Sequence, residues 1–495
     1  MRGSLHVRLQ EPPPEAAAPS SSSSSSSAPS LRYGARCPRI VGDRTPMRRA
    51  EGAGGVCVTH LPLPPRAGRG WWSGVLAQDG RVYCPPDGAA SVLVLEPGRE
   101  VSDLRISRLP RPEDDAVAAP SPDAVRGSRG IVWSRGALAA DGRVFCGPFD
   151  GDACLAVDPA KQLASAVSWI GCSVAARAKW SDLVAAPDGR LYGAPFDGSS
   201  ILVVDPVKEI AEIFGDFRID GSGAKWTKGT VGLDGCLYCA PLAASSVLVI
   251  DPRNPTSPRF LGDLGSAQGK WNEGAVAANG KIYCSPDSAC SVLVIDPERG
   301  TAQTMGVVAP GRRKWTKGVL APDGLIYCAP LCSPSVLVID PATDSVSTLG
   351  YLPRYFDGRF LWAAGTVGPD GRIYCAPLSA QGVLVIDPAA KQLSTVGDFG
   401  EEHFKWNQGV LAPDGRIYSS PAMDRYVGVL VIEAPGFRWS PDRSPFYPKV
   451  FLRALKLLLL IRHRAGRSGG SVWGAMPKDV LYERIFACFQ RDWFS

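Results

Sequence analysis

Four apolar residues in succession, closed in most copies by an acid and a proline, return along this chain at near-even spacing. The runs are VLVL at 92–95, CLAV at 154–157, ILVV at 201–204, and VLVI at 247–250, 292–295, 336–339, 383–386 and 429–432. Such a run, with no polar alternation, is the pattern of a short strand buried on both faces. Ahead of each run lies a second fixed pattern. Its first member is Trp71, Trp133, Trp180, Trp226, Trp271, Trp315, Trp362 or Trp406. Asp-Gly (Asn-Gly at Asn279) follows, then an aromatic residue from Tyr83 to Tyr418 (Phe145 in the second copy), then a proline.

Each copy decodes as four strands. A first strand runs from the Trp to Asp-Gly, a pair suited to a type I′ hairpin turn. A second, such as LIYCA at 325–329, is closed by a proline that cannot join a ladder. The apolar run is the third, and Asp-Pro turns the chain into a weaker fourth, such as VSTL at 346–349. A unit with two apolar faces must be covered on both sides. From Trp133 to Trp406 successive tryptophans stand 44–47 residues apart, the length of a propeller blade. The expected fold is therefore all-β: an eight-bladed β-propeller of four-stranded antiparallel blades, with seven blades as the fallback. The last copy lacks a fourth strand after Glu433. The segment 56–61 (VCVTHL) is expected to supply it as the outermost strand of the last blade, locking the ring.

The predicted domains are a Ser-, Pro- and Ala-rich disordered tail at 1–50, the propeller at 54–434 and a helical segment at 437–495. The 62-residue step from Trp71 to Trp133 places an inserted loop at 112–128.

Composition narrows the function less. A formal charge of +6 over 495 residues is mild, so nucleic acid is not the expected partner. The apolar stretch 457–461 is far short of the ~20 residues that span a bilayer, and no secretory signal is visible. Six of the 14 cysteines occupy one repeat position: Cys84, Cys146, Cys239, Cys284, Cys328 and Cys375. Matching positions of separate blades lie too far apart to bridge. Free buried thiols fit an intracellular, cytoplasmic or nuclear location, organelle targeting remaining open. The four histidines (His6, His60, His403 and His463) do not recur, and neither GxSxG nor a phosphate-binding GxxxxGK[ST] is present. No metal, cofactor or catalytic residue is expected. The same residue types recur in every blade, which reads as packing.

One repeated feature stands out. Lys179, Lys225, Lys270, Lys314 and Lys405 precede the blade Trp, and Lys228 and Lys317 follow two residues after it. They are expected to stud one rim and bind an acidic protein or peptide, set against an acidic opposite face partly offset by Arg81, Arg143, Arg190, Arg372 and Arg416. In the C-terminal segment Leu481, Ile485 and Phe489 share a helix face and form a candidate docking surface.

The pattern GVLAPDGxIYCxP…VLVIDP resembles the repeats of the β-propeller group that includes the NHL, YVTN and quinoprotein-like families. It lacks the GH…WD pairing of WD40 repeats and the Gly-Gly doublet of kelch repeats. The resemblance implies the fold and no single activity. Lactonases of the SMP-30 type share the fold but hold metal on non-repeated acids, and none of their residues carries over. Residues 476–489 (MPKDVLYERIFACF) are faintly similar to the opening of an F-box, and 446–493 to a SOCS-like box; either implies a substrate-recognition adaptor of a ubiquitin ligase. The expected function is a non-enzymatic binding platform, set against a propeller hydrolase, lactonase or lyase with a metal in its channel.

Overall fold

A computed structural model describes residues 48–435 of the chain apart from 53–54, 64–69, 111–132, 152, 169–177, 218–223, 353–358 and 424–427. The inserted loop and the C-terminal segment, with Leu481, Ile485 and Phe489, lie outside the described residues.

The chain folds into eight antiparallel sheets in succession. Blades 1 to 7 have four strands each, in sequence order from one edge to the other. In blade 6 these are Trp315–Leu320, Ile326–Pro330, Val336–Asp340 and Ser345–Leu349. The third strand is buried from Val336 to Ile339, whereas the fourth is largely exposed. First strands of successive blades adjoin one another, so they surround the centre and the fourth strands form the outer wall. Eight apolar clusters hold the ring, and each takes residues from two neighbouring blades. One joins blades 7 and 8 and the next joins blade 8 back to blade 1. The described chain is an eight-bladed β-propeller.

The seam is closed by the chain's beginning. Cys57–Pro62 pairs antiparallel with Gly428–Glu433, Cys57 opposite Glu433 and Pro62 opposite Gly428. This is the expected lock, with one correction: Arg48–Glu51 adds a fifth strand outside it. Asn407 ties blade 8 to blade 1, its Nδ2 donating to the Trp71 carbonyl at 2.5 Å.

Each blade tryptophan has two tasks. Its ring fills an inter-blade cluster, and its indole N–H donates to the carbonyl of the residue that opens or immediately precedes the third strand. Trp133 reaches Ala153 at 2.9 Å, Trp226 reaches Ser246 at 2.8 Å and Trp315 reaches Ser335 at 2.7 Å. The turn aspartate is also used twice. In blade 6 Asp323 accepts the Leu325 N–H with one oxygen and the Tyr327 hydroxyl, at 2.8 Å, with the other. The hairpin turn differs from the type I′ expectation. Only the glycine is left-handed, at φ +84° for Gly324, while the aspartate keeps negative φ. Gly324 N–H bonds the Ala321 carbonyl, and Ala321 N–H bonds the Leu325 carbonyl. This is a type I turn ending on a left-handed glycine, which leaves the Asp carboxylate free to accept both bonds.

Candidate functional site

The first strand of each blade faces its neighbours and the central channel. Trp recurs at its start, and glycine stands three residues on in every blade except blade 3. Between them the strand bulges: in blade 5, Trp271 pairs with Pro286 and Gly274 with Cys284, so two residues oppose one. The second residue after the Trp is carried on this bulge. Around the ring it reads Ser73, Arg135, Asp182, Lys228, Glu273, Lys317, Ala364 and Gln408. Charge changes there from blade to blade, whereas the residue before it is uncharged in every blade. Reading the blades as uniform misses this position; its signal is that its charge changes sign or vanishes from blade to blade, between a recurrent Trp and a glycine kept in seven blades.

The electrostatics place these side chains in a common lumen. Burial pushes the Glu273 carboxyl up, but Lys317, Lys228 and Arg135 outweigh it and hold the group below the usual glutamate range. Those cations come from blades 6, 4 and 2, and one carboxylate meets all three fields only where the blades converge. Lys317 Nζ lies 3.4 Å from Glu273 Oε2. Asp182 accepts the Arg135 backbone N–H at 3.0 Å and lies 3.8 Å from its guanidinium. Lys228 makes no ion pair with a described residue. Blades 2 to 6 thus present alternating charges, three cations to two acids. Blades 7, 8 and 1 present a neutral arc of Ala364, Gln408 and Ser73. Gln408 Nε2 donates to the Gly365 carbonyl at 2.9 Å. Beside this arc stands Trp72, whose ring lies 5.6 Å from the Arg135 guanidinium and whose N–H donates to the Trp133 carbonyl.

The expected lysine rim is corrected in its geometry. Lys179, Lys225, Lys270, Lys314 and Lys405 are all buried, none more than 7 % exposed. Their ammonium groups are used on backbone carbonyls. Lys179 donates to Gly151, Lys225 to Asp197 and Gly198, Lys270 to Ala244 and Ala267, Lys314 to Ala289, and Lys405 to Gly400 and Glu402. Each caps a loop carbonyl, on loops that are also held by backbone hydrogen bonds. Burial lowers the affinity of Lys270 and Lys405 for their protons to a pKa of about 8. Lys228 and Lys317, which the sequence grouped with them, face the lumen instead. On the opposite face four of the five predicted arginines bond the turn aspartate of their own hairpin, as Arg190 does Asp188 at 2.6 Å. Arg372 reaches Asp387 at 2.9 Å.

Catalytic equipment is sparse at this centre. The cations around Glu273 favour its ionised form, which suits it poorly to donate a proton. His403 lies on a blade-connecting loop, its Nδ1 3.2 Å from the Ser379 hydroxyl. Among the described residues no group of three or more His, Cys, Asp or Glu side chains is arranged to hold a metal ion. No helix of the described residues is long and apolar enough to cross a membrane.

No protein-family model and no curated protein matches the chain. Solved structures resemble it in fold. Virginiamycin B lyase from Staphylococcus aureus is 11% identical, with a TM-score of 0.45 over 61% of this chain and 94% of that one. A streptogramin B lyase is 12% identical, with a TM-score of 0.45 over 76% and 97%. The extracellular domain of a one-component system from B. thetaiotaomicron is 12% identical, with a TM-score of 0.43 over 79% and 65%. At such values the likeness carries no argument about activity or compartment.

Proposed function

We propose that this propeller is a non-enzymatic binding platform for a protein or peptide partner that presents an acidic group to the central channel. One observation carries the reading: the non-repeating arc at the second position after each Trp, with its surplus cation, Lys228. Packing between blades does not call for charges of both signs at a channel-facing position. A carboxylate arriving beside Lys228 would balance the third cation and recover the solvation that this ammonium loses in the lumen. The neutral arc and Trp72 opposite would take the uncharged body of the ligand. Leu481, Ile485 and Phe489 are proposed as a second contact, through which an adaptor would reach its own assembly, a ubiquitin ligase included.

The test is selection from a random peptide library on the full chain, repeated on Lys228→Glu. Enrichment of acidic peptides that the variant no longer selects is the expected result. Selection of the same peptides by the variant, or of no acidic peptides by the natural chain, overturns the reading.

A further inference from the structure

The crossovers from a fourth strand to the next blade repeat a small device. A left-handed glycine is followed two residues later by an apolar side chain that seals the outer end of the inter-blade cluster. Five described copies carry it: Gly215 and Phe217, Gly262 and Leu264, Gly306 and Val308, Gly350 and Leu352, Gly397 and Phe399, with φ between +64° and +81° at the glycine. In each, the plug residue's N–H donates to a carbonyl of the loop before the third strand: Ser199, Ser245, Cys290, Pro334 and Gln381 in turn. Each plug packs on the cluster that holds the following blade's Trp. Phe399 stacks edge-on against Trp406 at 5.1 Å.

The copy between blades 5 and 6 departs at three points. Its plug is valine, the smallest of the five. Val307 stands where three of the other copies have aspartate, and it is 88 % exposed. The crossover 306–314 (GVVAPGRRK) carries three cations and no acid, whereas 397–405 (GDFGEEHFK) carries three acids. At this copy a cleft of about 900 Å³ opens, lined by Val307, Val308, Trp315, Leu337, Val346 and, among its polar groups, Arg312 and Lys314. The volume is that of a small-molecule site.

We infer that this cleft is a binding site for a small aromatic carboxylate. The ring would take the space that phenylalanine fills beside Trp226 and Trp406, and the carboxylate would face Arg312 and the Lys314 ammonium. Lys314 Nζ donates to the Ala289 carbonyl at 2.5 Å and lies 3.5 Å from that of Gly311. An ammonium has three protons, so one remains for a ligand. The site lies on the outer wall and does not depend on the channel reading.

Calorimetric titration of the full chain with 2-naphthoate tests it, with 2-naphthalenemethanol as the uncharged control. The expected result is saturable one-to-one binding of the carboxylate, at least tenfold tighter than the alcohol. Val308→Phe should abolish it while keeping or raising the melting temperature, since the repeat already accommodates phenylalanine there. Val308→Leu, which copies the plugs Leu264 and Leu352, serves if the larger side chain misfolds, and should weaken binding severalfold. Arg312→Glu should weaken the carboxylate and leave the alcohol unchanged. Failure of the natural chain to bind 2-naphthoate, or undiminished binding by folded Val308→Phe or Val308→Leu, overturns the inference. So does a change of oligomeric state in Val308→Phe, which would make a second copy the occupant.

Discussion

Leu183 stands opposite Gly193 across the first two strands of blade 3, an inversion of the pair found elsewhere in the ring. In blades 2, 5 and 6 the inner position is glycine and the outer one cysteine: Gly136 with Cys146, Gly274 with Cys284, Gly318 with Cys328. A Cβ on Gly274 would lie 3.0 Å from the Cys284 sulfur. One large and one small residue fit each site, and blade 3 has exchanged them. A Cβ on Gly193 would lie 3.3 Å from the Leu183 side chain, and one on Gly147 of blade 2 would lie 3.2 Å from it. Both glycines therefore make room for Leu183.

This compensation predicts strong coupling. Leu183→Gly should cost several kcal/mol, since deleting a buried leucine side chain costs ~2–5 kcal/mol. Gly193→Cys should cost ~1–3 kcal/mol through overpacking. The double variant restores the arrangement of the other blades and should lose clearly less than the sum. Urea denaturation midpoints of the four proteins measure the coupling.

The charged arc makes an asymmetric prediction. Glu273→Gln leaves Arg135, Lys228 and Lys317 facing one another without the central anion. It should destabilise the protein by ~1–3 kcal/mol, as does loss of one partner from a desolvated charge-assisted bond. The loss should shrink when salt is raised, because screening weakens cation repulsion. Lys228→Gln removes the surplus cation and should be neutral or stabilising without a partner. Thermal melts at about 50 mM and about 500 mM salt, which bracket a threefold change in screening length, decide: equal losses for the two variants would contradict the lumen geometry.

Alkaline pH acts on two sets of buried groups with opposite signs. Burial pushes the thiols of Cys84, Cys239 and Cys328 up to about 12. Their contribution is complete below pH 9, the ordinary thiol value, and is lost as pH rises toward 12. Lys270 and Lys405 are depressed to about 8. The unfolded chain keeps those protons longer, so their contribution grows from about pH 8 to 10.5. Stability should hold or rise slightly between about pH 8 and 9, then fall as the more numerous thiols dominate. Denaturation midpoints across this range check it. Cys328→Ala should flatten the fall and Lys405→Met should remove part of the rise.

Much of the fold was legible because the repeat is strict. The buried four-residue run fixes the third strand, the Asp-Gly and Asp-Pro turns mark where the chain reverses, and eight copies leave little freedom in how they stack. The N-terminal lock was legible because the last copy lacked a partner for 429–432. The fifth strand at 48–51 was not, since its four residues carry no apolar pattern. Nor was the turn type, because Asp-Gly suits two turn families; the turn adopted goes with the Asp or Asn side-chain oxygen accepting the backbone N–H two residues on, a bond made in all eight blades. The lysines mislead for a similar reason. A lysine before five of the eight blade tryptophans looks like a surface, but a flexible four-carbon stem also reaches inward to cap loop carbonyls. The channel residues were hidden by their very lack of pattern.

Closure of the ring by the chain's beginning is tested most directly by one substitution. Cys57 is a free thiol, only partly buried, and opposite Glu433 in the seam. Directly paired antiparallel residues have Cα atoms ~4.5–5.5 Å apart, within reach of a disulfide. Under mild oxidation the variant Glu433→Cys should therefore join its introduced thiol to Cys57, read by mass spectrometry of the unreduced digest, with a higher melting temperature than the reduced form. An introduced thiol that stays free, or that joins another cysteine while Cys57 remains unpaired, would contradict the closed ring.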